Sequence, residues 1–138
     1  MINMIKNKNQ SKQKGKYDVT ISIGKSKNAR RITFIFSDKA RKKVFKTYSY
    51  ATFGFVKNDF YERCYFEKSN TFEGFKITAR TNKNTSYFAT RIDERFTDVS
   101  IDEWGGHYSL KFDEQENMWY VELTEEGSKG NNDRKRIP

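Results

Sequence analysis

Proline is almost missing from this chain of 138 residues: the single one is Pro138, so no interior position has its backbone pinned by a pyrrolidine ring. There is one cysteine, Cys64, which excludes an intramolecular disulfide. There is one histidine, His107, which excludes a histidine pair as the basis of a metal site. No apolar run approaches the length needed to cross a bilayer. The N-terminal residues are polar and basic and lack the apolar centre of a signal peptide. A glycine-rich phosphate loop and a glycine–lysine–serine/threonine signature are also missing. These absences point to a cytoplasmic protein in a reducing compartment, with no membrane partner.

What is present is aromatic and charged. Twelve Phe, eight Tyr and two Trp make up 16% of the chain, enough to build a core although only 35% of residues are hydrophobic. Tyr, Phe, Ile, Val and Thr recur in short alternating runs, which favours strands over helices. The expected fold class is α+β, predominantly antiparallel β with one or two short helices, in a single domain over 17–126.

The net charge of +9 is unevenly spread. Residues 1–16 hold five lysines and no acid and read as a disordered basic arm. Residues 127–138 read as a flexible basic tail. Between them, 17–72 carries +7 and 73–126 carries −6, so the body is polarised by sequence halves. A basic total suggests polyanion partners.

Tyr17 to Gly24 alternates cleanly, with Val19, Ile21 and Ile23 on one face. Arg30 to Phe36 is the second strand, with Ile32, Phe34 and Phe36 inward. Ser37 is an N-cap before a short helix to Lys46, and Asp38 suits the positive helix terminus. Strands are expected at Tyr48 to Val56, Phe60 to Phe66, Phe75 to Arg80 and Tyr87 to Ile92. Ser100 and Glu103 have capping-box spacing, so a brief helix is expected around Ile101 to Trp104, stopped by Gly105-Gly106. Tyr108 to Phe112 and Met118 to Leu123 then form a hairpin across Asp113 to Asn117.

The order strand, strand, helix, strand, strand is read twice. A shift of 56 residues places Ile21 on Ile77, Asn28 on Asn84, Phe36 on Ile92 and Val56 on Phe112. This pattern allows two pseudo-repeated halves, 17–72 and 73–126, about a local two-fold.

The stretch Lys25 to Lys46 concentrates positive charge. Lys39, Lys42, Lys43 and Lys46 share one side of the helix, while Ala40 and Val44 share another. Lys25 and Lys27 lie in the loop before Arg30 and Arg31. The order from Val19 to Phe66 resembles the swapped-hairpin DNA-binding fold of AbrB-type transition-state regulators. The segment ARRITFIFSDKARKKVF, Ala29 to Phe45, carries that resemblance. It departs from the family in having Phe36-Ser37 where a proline is usual, and Ala29-Arg30-Arg31 where Gly-Arg commonly opens the strand. The resemblance implies that Lys25, Lys27, Arg30 and Arg31 meet DNA phosphates or base edges, and that the unit works as a dimer or as two halves of one chain.

The inventory for catalysis is thin, and no enzyme is expected. His107 beside Gly105-Gly106 reads as a turn or sheet-edge histidine. Cys64, mid-strand among aromatics, reads as an inert thiol. Asp113, Glu114 and Glu116 read as a solvated hairpin tip rather than a metal or acid–base site, and Asp98, Asp102 and Glu103 as surface charge. Neither a metal nor a cofactor is expected. The expected function is non-enzymatic nucleic-acid binding, DNA before RNA, through Lys25, Lys27, Arg30, Arg31, Lys39, Lys42, Lys43 and Lys46, by a monomer or homodimer. Tyr48, Tyr50, Tyr61 and Tyr65 are candidates for stacking on unpaired bases. The alternative is an inhibitor that binds a host or defence protein, of the kind phages and mobile elements use, anti-CRISPR proteins included. In that reading the acidic half would cover a basic groove on its target.

Overall fold

The alternation of Val19, Ile21 and Ile23 becomes strand β1 (Val19–Ser26), and that of Ile32, Phe34 and Phe36 becomes β2 (Ala29–Ser37). These residues belong to a computed structural model that describes residues 17–26, 29–81, 84–96 and 101–123. The expected arm at 1–16, Lys27, Ser100 of the capping box and the tail at 127–138 lie outside the described residues.

Helix α1 (Asp38–Phe45) starts where the sequence places it, because the Ser37 side chain accepts a bond from the Ala40 amide at 3.1 Å. It ends at Lys46, whose φ of 53° and backbone bond to the Lys42 carbonyl close the last turn. Ala40, Val44 and Phe45 are buried, as the helical spacing requires. The chain continues through β3 (Tyr50–Lys57), β4 (Glu62–Ser69), β5 (Phe75–Lys76), β6 (Thr78–Ala79) and β7 (Thr85–Arg91). Two single 3-10 turns, Glu94–Phe96 and Ile101–Glu103, precede β8 (Gly106–Tyr108), β9 (Lys111–Asp113) and β10 (Met118–Glu122). Among the described residues the fold is α+β, mostly antiparallel, in two sheets with one short helix. No described helix is long and apolar enough to cross a membrane.

Sheet A has the order β6-β7-β2-β1-β8, and sheet B the order β5-β3-β4-β10-β9. Two expected strands turn out to be bent. Phe75 to Arg80 breaks at Ile77, which is buried, so that β5 joins sheet B and β6 joins sheet A. Tyr108 to Phe112 breaks likewise, so that β8 joins sheet A and β9 sheet B. Each bend is a corner that carries the chain from one layer to the other. Phe60 also departs from expectation. It sits in the β3–β4 turn, 91% exposed, because β4 begins only at Glu62.

The pairing registers bear on the offset of 56 residues. Phe55↔Cys64, Val56↔Arg63 and Lys57↔Glu62 in the β3–β4 hairpin map onto Lys111↔Tyr120, Phe112↔Trp119 and Asp113↔Met118 in β9–β10. The β1–β2 and β6–β7 hairpins correspond with a slip of two residues, Ile23↔Ile32 against Ala79↔Ser86. The two central antiparallel pairs, β2–β7 and β4–β10, each join one strand from either half of the sequence.

The core is aromatic. The Phe34 ring lies 4.9 Å from Phe53, 5.4 Å from Phe66 and 5.1 Å from Phe88, so it ties both sheets together. Phe36 adds Phe45 of the helix at 4.9 Å. Each such ring contributes roughly 2–3 kcal/mol by burial, and each well-oriented pair adds about 0.5–1.5 kcal/mol.

Candidate nucleic-acid interface

Because inward positions alternate with outward ones, the outer face of sheet A follows from the register. Three rows cross it: Thr20, Ile35 and Tyr87; Ser22, Thr33 and Ala89; and Gly24, Arg31 and Arg91. The strands of sheet A contain no Asp or Glu at all. Helix α1 lies on the inner side, where its buried residues join the core, so no described helix or strand crosses this outer face.

The last row is the most charged. Arg31 and Arg91 stand directly opposite each other on neighbouring strands, and both are exposed. Gly24 completes the row, and a Cβ built there would meet nothing within 4 Å. The row therefore has two guanidiniums beside an open floor. Lys25 is exposed and pairs with Arg30, which is half-buried, so the β1–β2 hairpin adds further positive charge to this end. At the opposite end Tyr17 stacks on His107 at 5.0 Å, and Thr20 Oγ1 lies 2.9 Å from His107 Nδ1.

The helix lysines are elsewhere. Lys39, Lys42, Lys43 and Lys46 are exposed on α1, beyond the C-terminal end of β2. Arg30 and Arg31 are at its N-terminal end. Ala29 to Ser37 spans about 26 Å at the usual rise per residue. The expected loop–strand–helix face is thus two basic patches separated by the length of a strand. The helix patch is also partly engaged: Lys42 pairs with Asp38 at 3.2 Å, and the Lys43 ammonium lies 5.2 Å from the Trp119 ring centre.

Three of the four candidate stacking tyrosines are engaged within the chain, and Tyr50 is half-buried. Tyr65 is buried, and the Arg63 guanidinium covers Tyr61 at 3.8 Å from the ring centre. Lys68 stands over Tyr48 at 5.6 Å. Tyr87, which sequence reasoning did not single out, is a tyrosine on the outer face of sheet A. Its outward position follows from the period-two burial of Thr85 to Arg91, which the residue types of that strand do not show.

No family model, curated protein or solved structure matches this chain. The geometry therefore stands alone. The charge split by sequence halves does not become a split by spatial halves, since each sheet takes strands from both. Instead the carboxylates in strands, Glu62, Glu67, Asp113 and Glu122, all fall in sheet B. There Arg63 donates through Nε to Glu122 at 2.9 Å and through a terminal nitrogen to the Tyr65 hydroxyl at 3.2 Å. Tyr65 in turn donates to Asp113 at 2.7 Å. That bond, helped by the backbone amide of Glu116, holds the Asp113 carboxyl below its ordinary range. Burial pushes the Cys64 thiol well up, which keeps it protonated and unreactive. Among the described residues no three metal-ligating side chains cluster.

Proposed function

We propose that the protein binds nucleic acid without catalysing a reaction on it, through the outer face of sheet A. The observation that supports this reading is the row Gly24, Arg31 and Arg91 on a sheet whose strands carry no carboxylate. Phosphate oxygens suit such a row. Guanidiniums form paired, charge-assisted bonds to them, and the missing Cβ at Gly24 lets a sugar–phosphate backbone come close. Lys25 and Arg30 raise the local potential, and Tyr87 offers a ring on the same face. The lysines of α1 form a second patch, reached only by a polymer that spans the molecule. The AbrB-type resemblance gives Arg31 the same role, as a contact to phosphate or base edges. DNA is the first ligand to test.

The test replaces Lys25 and Arg31 with Glu and measures binding of DNA and RNA oligonucleotides by fluorescence anisotropy over a salt series. Position 31 is exposed on the outer face, so the substitution leaves the core and the fold intact. Wild-type affinity falls steeply with salt. If each side chain neutralises one phosphate, the variant's logarithmic salt slope on duplex is shallower by about 1.8. The basic termini are unchanged in the variant, so the difference reports this end of sheet A and not the arms. Unchanged binding by the variant would reject the site, and no binding by the wild-type protein would reject the function.

A further inference from the structure

The outer face of sheet B has the opposite character. Thr52, Gly54 and Val56 of β3, Arg63 and Tyr65 of β4, and the β9–β10 turn enclose an open groove of about 880 Å³. Three carboxylates on its lining, Glu67, Glu114 and Glu116, make no ion pair among the described residues. Its one arginine, Arg63, is already held by Glu122, Asp113 and the rings of Tyr61 and Tyr120. The charge left over is negative.

Two more features point to a polypeptide guest. Within β3, Gly54 lies opposite Tyr65, and a Cβ built there would meet nothing within 4 Å. Internal packing does not call for glycine at this strand position, where it weakens the sheet; close approach of another backbone does call for it. Two of the few exposed large apolar side chains, Val56 at 40% and Phe112 at 43%, border the same groove.

We propose that this groove docks an extended, lysine- or arginine-bearing segment of a partner protein. The segment runs along the outer face of β3, across Gly54. Its apolar side chains meet Val56 and Phe112, and its cations meet Glu67, Glu114 and Glu116. Charge complementarity selects this occupant over nucleic acid, which the same carboxylates repel. The proposal does not depend on nucleic-acid binding at sheet A.

The test uses the full chain, treated with nuclease, and a labelled short peptide alternating Lys or Arg with Val. A second peptide with Glu in place of the cations is the control. Binding is read by anisotropy. The wild-type protein binds the basic peptide and not the acidic one. Glu67→Lys, Glu114→Lys and Glu116→Lys together weaken it by about tenfold or more. Gly54→Val changes no charge, suits the strand and raises the melting temperature, yet weakens the peptide by a similar factor because its side chain fills the hollow. The proposal is overturned if the wild-type protein fails to bind the basic peptide, or if Gly54→Val binds it unchanged. It is also overturned if the groove variants alter self-association rather than peptide affinity.

Discussion

A polyanion that touches both basic patches must reach along the whole of β2. Ala29 to Ser37 covers about 26 Å, which is about eight nucleotides of a duplex strand at about 3.4 Å each. Duplexes shorter than this engage the Gly24–Arg31–Arg91 end or the helix, but not both. Longer ones add the contacts of Lys39, Lys42, Lys43 and Lys46. If two of those lysines meet phosphate, the logarithmic salt slope steepens by about 1.8 as the length passes this threshold. Charge reversal at Lys39 and Lys46, which have no ion pair among the described residues, removes the step while leaving short duplexes unaffected. Charge reversal at Lys25 and Arg31 weakens duplexes of every length. The assay is anisotropy with a length series at several salt concentrations. A smooth dependence on length, insensitive to the helix lysines, would refute a shared ligand and leave the helix as a solvated face. A step abolished by the helix variants while the Lys25 and Arg31 variant binds normally would refute the sheet A site itself.

Four further outcomes are expected. Ser37→Ala removes the helix cap and costs about 1 kcal/mol, read as a lower midpoint in urea. Lys46→Gly relieves a side chain held at φ 53° and stabilises by roughly 0.5–1 kcal/mol in the same assay. Cys64 in the native protein resists thiol reagents, and becomes reactive only as denaturant unfolds the sheet. Asp113→Asn is less stable than wild type near neutral pH. Because the folded Asp113 carboxyl titrates below its unfolded value, its contribution is present above the ordinary carboxylate range and fades as pH falls through the folded value. The two proteins therefore converge in acid, and a gap that persists there would remove the assigned cause.

Much of the fold is legible in local pattern. The strands β1 and β2 show period-two alternation that matches their inward rows, and Ser37 with Ala40 and Val44 fixes the helix. The bends are not legible. Nothing local in Phe75 to Arg80 or in Tyr108 to Phe112 says that one strand serves two sheets, because that follows from where β1 and β3 lie. Phe60 misleads for a related reason. Aromatics next to a strand are usually core, and only the turn made by Asn58, whose side chain accepts from the amides of Phe60 and Tyr61, turns Phe60 outward.

The candidate site was half legible, and the missing half comes from topology. Summed along the chain, charge falls into a basic first half and an acidic second half, which suggests a molecule with two ends. Strand exchange between the halves erases that division: β7 carries Arg91 from the acidic half to lie against Arg31, while β4 carries Glu62 and Glu67 from the basic half into sheet B. The segregation that survives is between faces rather than ends. An electrostatic argument needs the three-dimensional row and not the running sum, because Coulomb interactions act across neighbouring strands about 5 Å apart whatever their separation in sequence. Gly24 and Gly54 show the same thing from the steric side. Each looks like an ordinary weak point in a strand, and only the pairing places one beside an arginine on the outer face of sheet A and the other on the floor of the acidic groove.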